Sequence, residues 1–274
     1  MPRLREFPWR ATRDPWHVLI SEVMLQQTNV GRVRPRFERF VALAPTPAAC
    51  VDVALADLLV EWQGMGYPRR CRNIQDAARV IVERHGGEVP RDLDSLMALP
   101  GIGPYTARAI LAFAFGDDAA VVDTNVARVI SRVEGRPMKP RETQALADEM
   151  LPRGLSRDWN QVVMDFGATV CNARSPRCSS CPIARLCSWR GEGADPARTT
   201  AFTSRPQGRF EGSDRQARGR MMKRLTEGSV QATRVAEVMG LDDGDRASRL
   251  VESLVADGLV ERVGRAYRLS EKRR

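Results

Sequence analysis

From about residue 15 to residue 170, apolar side chains recur at spacings of three and four, broken by short turns that contain proline or glycine. Nowhere in that region do apolar and polar residues alternate as they do in a strand with one buried face. A chain patterned this way buries its apolar stripes by packing helix on helix, so the expected fold class is all-α with short connections. The spacing predicts helices over 16–28, 30–42, 55–63, 69–85, 93–98 and 105–115.

Residues 191–214 are rich in Gly, Pro, Arg, Ser and Thr and read as a linker. Beyond it, 215–226, 230–239 and 245–257 read as helices, and 258–269 alternates like two short strands around Gly264. Three helices and a hairpin resemble a winged helix. The expected organisation is therefore a helical domain over 1–190, a linker over 191–214 and a winged-helix-like domain over 215–274, without internal repeats.

Charge narrows the partners. The 274 residues include 43 Lys and Arg against 34 Asp and Glu, a formal net charge of +9, and the lysines are Lys139, Lys223 and Lys272 alone. The basic residues are thus overwhelmingly arginine, whose planar fork matches phosphate geometry, and a polyanion such as nucleic acid is the expected partner. No apolar run approaches the ~18–20 residues of a membrane span, and the first ten residues lack the apolar stretch of a signal peptide, so a soluble cytoplasmic protein is expected. His17 and His85 have no ligand partner at useful spacing.

One segment departs from helical regularity. In Leu-Pro-Gly-Ile-Gly-Pro-Tyr, starting at Leu99, two glycines permit positive φ and close approach, while Pro104 suits the first turn of a new helix. A helix start leaves backbone N–H groups without partners, so such a turn can present amides to a phosphate. Gly101 and Gly103 are the expected phosphate contacts, with Ile102 anchored in the core.

Around this turn the sequence resembles the endonuclease III superfamily of helix-hairpin-helix DNA glycosylases. The resemblance rests on Leu99–Ala107 and on Val-Val-Asp-Thr-Asn-Val-Ala-Arg-Val, starting at Val121. It also rests on Ser-Glu-Val-Met-Leu-Gln-Gln-Thr from Ser21 and on Gly-Met-Gly-Tyr from Gly64, which resemble the adenine glycosylase branch, MutY. It spans about Trp9 to Trp189. It implies a two-lobed helical fold with an iron-sulfur loop, acting in base excision repair as a monomer on double-stranded DNA that carries a mismatch or an oxidised guanine.

Releasing a base from deoxyribose needs a proton for the leaving base and negative charge beside the oxocarbenium-like sugar, tasks that two carboxylates in different environments can divide. Glu22 lies in an apolar, amide-bearing stretch where desolvation favours the protonated acid. The resemblance implies that it protonates adenine and positions the attacking water. Asp123 precedes a helical stretch and should act as its N-cap. By resemblance it also stabilises the sugar cation, with Asn125 and Tyr105 completing the site. Bifunctional relatives carry a lysine where Tyr105 stands; tyrosine has no amine for a Schiff base, so hydrolysis without strand cleavage is expected.

The base must be extruded from the duplex. The resemblance assigns Gln26, Gln27 and Thr28, expected on the same helix as Glu22, and Tyr67 to the opened stack. Pro68 stands where relatives often have a second aromatic residue.

Cys171, Cys178, Cys181 and Cys187 are separated by six, two and five residues, and four such thiolates can hold a [4Fe-4S] cluster or a zinc ion. The single compact run resembles the cluster loop of the superfamily, whose Arg174, Arg177, Arg185 and Arg190 should meet phosphates. Cys50 and Cys71 read as buried small hydrophobes.

About 60 residues follow the linker. That is too few for the Nudix-like domain through which well-known adenine glycosylases read 8-oxoguanine. A thymine/uracil mismatch glycosylase on the same scaffold, or an iron-sulfur DNA-binding regulator without enzymatic activity, are the alternative readings.

Overall fold

A computed structural model describes residues 5–199 and 208–271. Residues 200–207 of the expected linker lie outside the described residues. The chain divides into two compact units, and the boundaries are not sequential. One comprises the described residues of Met1–Val18, Arg91–Met97 and Ile102–Pro206, the other those of Leu19–Pro90, Ala98–Gly101 and Gln207–Arg274.

The helices are α1 (Pro8–Ala11), α2 (Pro15–Leu25), α3 (Val30–Leu43), α4 (Pro47–Asp52), α5 (Leu55–Glu61), α6 (Arg69–His85), α7 (Leu93–Met97), α8 (Pro104–Ile110), α9 (Thr124–Glu134), α10 (Pro140–Met150) and α11 (Ser156–Thr169). After them come α12 (Asp214–Leu225), α13 (Val235–Met239) and α14 (Gly244–Ala256), with strands β1 (Val230–Gln231), β2 (Val260–Val263) and β3 (Ala266–Leu269). None of the helices among the described residues is long and apolar enough to cross a membrane.

In the unit that begins at Leu19, the core is built from Leu19, Ile20 and Met24 of α2, Phe40 of α3, Leu58 of α5, and Ile74 and Ile81 of α6, all essentially inaccessible. Phe40 meets Trp62 edge to face with ring centroids 5.9 Å apart, a preferred geometry for aromatic pairs. Gln75 on α6 donates from Nε2 to the carbonyls of Cys50 (3.2 Å) and Val53 (2.8 Å), satisfying acceptors that the end of α4 leaves open. Cys50 and Cys71 are buried here, as expected of small hydrophobes, and burial pushes the Cys50 thiol up to about 12.

The other unit packs Val126, Ala127 and Ile130 of α9 against Ala120, Val122, Met138 and Ala147. Its α11 approaches α9 closely at Gly167, where a Cβ would lie 2.8 Å from that of Asn125.

Three elements differ from the periodicity reading. First, the predicted helix 16–28 stops at Leu25, so Gln26, Gln27 and Thr28 leave the helix, and Gln27 turns to φ 52°. Second, the predicted helix 105–115 ends as a wider π-turn over Leu111–Phe115, closed by Gly116 at φ 73°. Third, the predicted helix 230–239 starts as β1, because Val230 pairs across the ladder with Tyr267 and Gln231 with Ala266. Only Val235–Met239 is α-helical. The sheet has the order β1-β3-β2 and is antiparallel throughout.

The segment read as a linker is not wholly loose at its start. Asp195 caps a short 3₁₀ turn over Pro196–Arg198, in which Pro196 and Ala197 are buried. Past the undescribed residues, α12 to β3 share their compact unit with Leu19–Pro90. There the Asp257 backbone oxygen accepts from Arg72 of α6, and its carboxylate accepts from Arg218 of α12.

Candidate active site

Glu22 sits midway along α2, only 6% exposed, between buried Ser21 and Val23. Asp14 starts this helix, its Oδ1 accepting from the backbone N–H groups of Trp16 (2.8 Å) and His17 (3.1 Å). The far end is held by a residue that the sequence reading passed over. Arg70, 8% exposed on α6, donates from Nη1 to the carbonyls of Val23 (2.8 Å), Met24 (3.1 Å) and Gln26 (2.5 Å). Its Nη2 donates to Thr28 Oγ1 (2.9 Å) and to the carbonyls of Met65 (3.2 Å) and Gly66 (3.1 Å).

No carboxylate takes part in these bonds. The guanidinium is therefore solvated by the open carbonyls of a helix end, where the helix dipole favours positive charge, and by a loop. Burial pulls its pKa down to about 10, which leaves it charged at neutral pH. It also lies 5.3 Å from the Trp62 ring centroid and 5.5 Å from that of Tyr67.

That loop is Gly64–Tyr67, where Gly64, Gly66 and Tyr67 all have positive φ, at 81°, 72° and 47°. A Cβ at Gly64 would meet Arg36 Nη2 at 2.8 Å, and Tyr67, 38% exposed, stays in the left-handed region. A non-glycine residue held there costs on the order of 1–3 kcal/mol, which the surrounding bonds must offset. Thr28 Oγ1 donates to the Met65 carbonyl (3.2 Å) and Trp62 Nε1 to the Gly66 carbonyl (3.0 Å). Glu22, the Gln26–Thr28 turn and Tyr67 thus belong to one fixed substructure, organised by Arg70.

Asp123 has the N-cap role expected for α9. Its Oδ1 accepts from the backbone N–H groups of Asn125 (2.8 Å) and Val126 (2.7 Å), and its Oδ2 accepts from Asn125 Nδ2 (2.7 Å). Burial nevertheless pushes its carboxyl above the ordinary range, against the lowering effect of those donors and of Arg128. Arg128 donates to Asn125 Oδ1 (2.7 Å), to the Gly167 carbonyl (2.6 Å) and to the Cys171 carbonyl (2.9 Å). A continuous set of bonds therefore runs from the Asp123 carboxylate to the first cysteine. Tyr105, half-buried, lies in the first turn of α8 and in the same compact unit.

The hairpin differs in detail from expectation. Gly101 has φ 80°, and a Cβ there would lie 2.7 Å from Asn73 Nδ2, so both the conformation and the space call for glycine. Gly103 is extended at φ −100°, with open space where a Cβ would point. Only the first glycine uses left-handed freedom. Ile102 is buried, as expected.

All four cysteines of the compact run line one cavity together with Arg132 and Trp189. Arg132 is 1% exposed, stacks 4.6 Å over Trp189 and pairs with Asp195 at 2.7 Å. Its Nη1 donates to Cys171 Sγ at 3.4 Å, and the Arg190 backbone N–H donates to Cys187 Sγ at the same distance. Donors aimed at sulfur stabilise thiolates, so the donor set fits a thiolate-ligated group. Among the described residues, no group of three or more His, Cys, Asp or Glu side chains is arranged to hold a metal ion.

Arg70 and Arg132 each left one trace in the sequence. They occupy buried positions of an amphipathic helix, Arg70 preceding Ile74, Ala77, Ala78 and Ile81 at helical spacing, whereas Arg128 stands on the half-exposed side of α9. The charge pattern says that something must compensate such an arginine, but not which carbonyls do.

Fold and site together define a helix-hairpin-helix protein of DNA base excision. The chain belongs to the HhH-GPD superfamily of base excision DNA repair proteins, whose family model matches residues 20–153. Among curated relatives, an adenine DNA glycosylase from Mycolicibacterium smegmatis is 41% identical over 263 residues, covering 94% of this chain and 88% of the relative. Among solved structures, a thermostable thymine-DNA glycosylase superposes with a TM-score of 0.66 at 34% identity over 68% of this chain and 89% of that one. A trapped covalent intermediate of endonuclease III with DNA superposes with a TM-score of 0.61 at 32% identity over 66% and 86%.

Two outcomes follow from the site. A raised carboxyl pKa means that the folded state holds the Asp123 proton more tightly than the unfolded chain, so the side chain favours folding at low pH. That contribution is lost as pH rises through the folded-state value. Asp123→Asn stays neutral and keeps a capping acceptor. Because it also loses the bond from Asn125 Nδ2, the informative quantity is the pH dependence: in calorimetry its melting temperature should fall less than that of the wild type as pH rises from acid to neutral, and an unchanged dependence would contradict the assignment. Arg70→Met strands a cluster of buried carbonyls, each worth about 1–3 kcal/mol, and should lower urea stability by about 3–5 kcal/mol. Arg70→Lys should recover only part of the loss, because an ammonium lacks the planar fork.

Proposed function

We propose that the chain is an adenine DNA glycosylase of base excision repair, hydrolysing the N-glycosidic bond of adenine opposite 8-oxoguanine or guanine. The observation that carries this reading is the 41% identity with a curated adenine DNA glycosylase across 94% of the chain, a coverage that must take in most of the α12–β3 region. The matches to thymine glycosylases cover only about two thirds of it.

In this reading Glu22, shielded from bulk water on α2, donates its proton to the departing adenine. As the C–N bond breaks, its electron pair leaves with the base, and Asp123 faces the positive sugar. Water then adds to the sugar carbon, its proton returns to Glu22, and free adenine and an abasic site result. The N-cap bonds from Asn125 and Val126 keep Asp123 oriented during this change. Tyr105 supplies no amine, so the strand stays intact. Gln26, Gln27 and Thr28 fill the stack vacated by the extruded nucleotide and Tyr67 wedges beside them, on a turn too constrained by Arg70 to yield. Backbone amides at Gly101 and Gly103 bind a phosphate. The enzyme acts as a cytoplasmic monomer on chromosomal double-stranded DNA.

Cys171, Cys178, Cys181 and Cys187 would hold a [4Fe-4S] cluster. When bound, the cluster fixes the basic loop and does no acid-base work on the sugar. Arg132, donating to Cys171, orients the first thiolate.

Purified protein is incubated with labelled duplexes containing A:8-oxoguanine, A:G, T:G and U:G, with and without hot alkali. Breaks in the adenine strand that appear only after alkali are expected, and Glu22→Gln should reduce excision at least 10³-fold while retaining duplex affinity. Breaks confined to the T or U strands would support the mismatch thymine/uracil reading, and intact strands in all four would support a binding regulator. Iron and acid-labile sulfide in equal amounts are expected on elemental analysis of aerobically purified protein, with Cys181→Ser losing both. Stoichiometric zinc without iron would reject the cluster.

A further inference from the structure

Within the unit that contains Leu19–Pro90, a groove of about 1250 Å³ runs between the Gly64–Arg69 loop and α12. Its walls carry Arg32 and Arg69 on one side and Arg215 and Lys223 on the other, together with two exposed rings, Tyr67 (38% exposed) and Phe210 (52%). Among the described residues Asp257 is the one carboxylate on the lining, and it is engaged by Arg218 and Arg69. Cations that track a backbone, combined with exposed rings on which bases stack, are the physical signature of a nucleic-acid path. An acidic peptide would make use of the cations but not of the rings.

Within the C-terminal region, α12 is the helix that lines this groove. In a helix-turn-helix reader, the helix after the turn carries the DNA contacts. Here that helix is α14, with two cations against two carboxylates, and its Arg246 is already paired to Asp214 at 2.6 Å. The first helix, α12, has five cations against one carboxylate and lines the groove. The Arg72 and Arg218 bonds to Asp257 join the end of α14 to α6 and to α12.

We propose that the C-terminal unit binds DNA through α12 rather than through α14 and the β2–β3 hairpin, and that the groove between α12 and the Tyr67 loop carries a DNA strand next to the excised nucleotide. The proposal rests on the DNA glycosylase reading and names the surface by which a unit unlike a Nudix domain contributes to that site. Arg215 and Lys223 contact phosphates, and Phe210, whose ring carries the Arg215 guanidinium 5.2 Å from its centroid on one face, offers its other face for stacking opposite Tyr67.

Full-length protein is titrated with a fluorescent undamaged duplex across a salt series. Arg215→Ala combined with Lys223→Ala is expected to weaken binding about tenfold and to make the log–log salt slope shallower by about two, one per phosphate contact. Arg32→Ala, on the other wall, should remove about one further unit of slope and serves as an independent probe if the double variant is unstable to heat. Arg249→Ala with Arg265→Ala, on α14 and the hairpin turn, should match wild type. Wild-type affinity and slope in the α12 variant overturn the proposal, as does loss of binding only in the α14 variant. Displacement of DNA by polyglutamate at equal charge would assign the groove to acidic peptides and overturn it as well. Adenine release by wild type alongside an inert α12 variant rejects this proposal alone, whereas duplex binding without adenine release rejects the glycosylase reading alone.

Discussion

A buried positive charge held by carbonyls and a hydroxyl, with no carboxylate bonded to it among the described residues, organises the unit that carries Glu22. Arg70 substitutes helix-end carbonyls and a hydroxyl for the water that it loses. The C-terminal carbonyls of α2 carry the negative end of the helix dipole, so the arrangement is electrostatically matched without any carboxylate. Several donors in one rigid plane reach two backbone segments at once, which a point charge such as lysine does less well. The result is a glycine-bearing loop locked in left-handed conformations beside the helix of Glu22.

In the other unit arginines again bind backbone carbonyls, but there Arg132 also pairs with the Asp195 carboxylate. Arg128 links the Asn125 amide to the carbonyls of Gly167 and Cys171, and Arg132 reaches the Cys171 sulfur and the Asn172 carbonyl. Arg157 does the same among the carbonyls of Phe113, Arg10 and Thr12. The high arginine content therefore serves two purposes. Part of it is available to phosphates on the surface, as a net charge of +9 implies, and part acts as an internal solvent for backbone oxygens. Composition alone suggested only the first.

The Asp123 carboxylate shows how hydrogen bonding and burial compete at one group. Two backbone donors and an amide hold it in the ionised form, and burial opposes them and prevails, so its carboxyl lies above the usual range. A group kept short of water and yet firmly oriented is costly to fold around; in the proposed function it faces a transient cation. The closeness of α11 at Gly167, against Asn125, gives this orientation its rigidity.

Much of this was legible in the sequence. Helical periodicity gave the body, because an amphipathic helix needs one apolar stripe wherever it docks. Asp123 was legible as a cap because capping is local, and Cys171 to Cys187 were legible as a cluster of thiols because they lie close along the chain. The hairpin glycines were half legible. Gly101 needs its positive φ and its approach to Asn73, while Gly103 needs neither.

What the sequence withheld depends on partners distant along the chain. The helix of Glu22 ends at Leu25 because Arg70 of α6, 44 residues beyond Gln26, takes the carbonyl there, and no periodicity encodes that. Val230 starts a strand because Tyr267 lies opposite it, and the first part of the apparent linker is packed because Arg132 claims Asp195. Local chemistry, written in neighbouring residues, determined the motifs, the caps and the thiol run. Only tertiary structure decided which carbonyls would solvate each buried arginine and which helix of the C-terminal unit would line the groove, because those choices depend on segments that meet only in the folded chain.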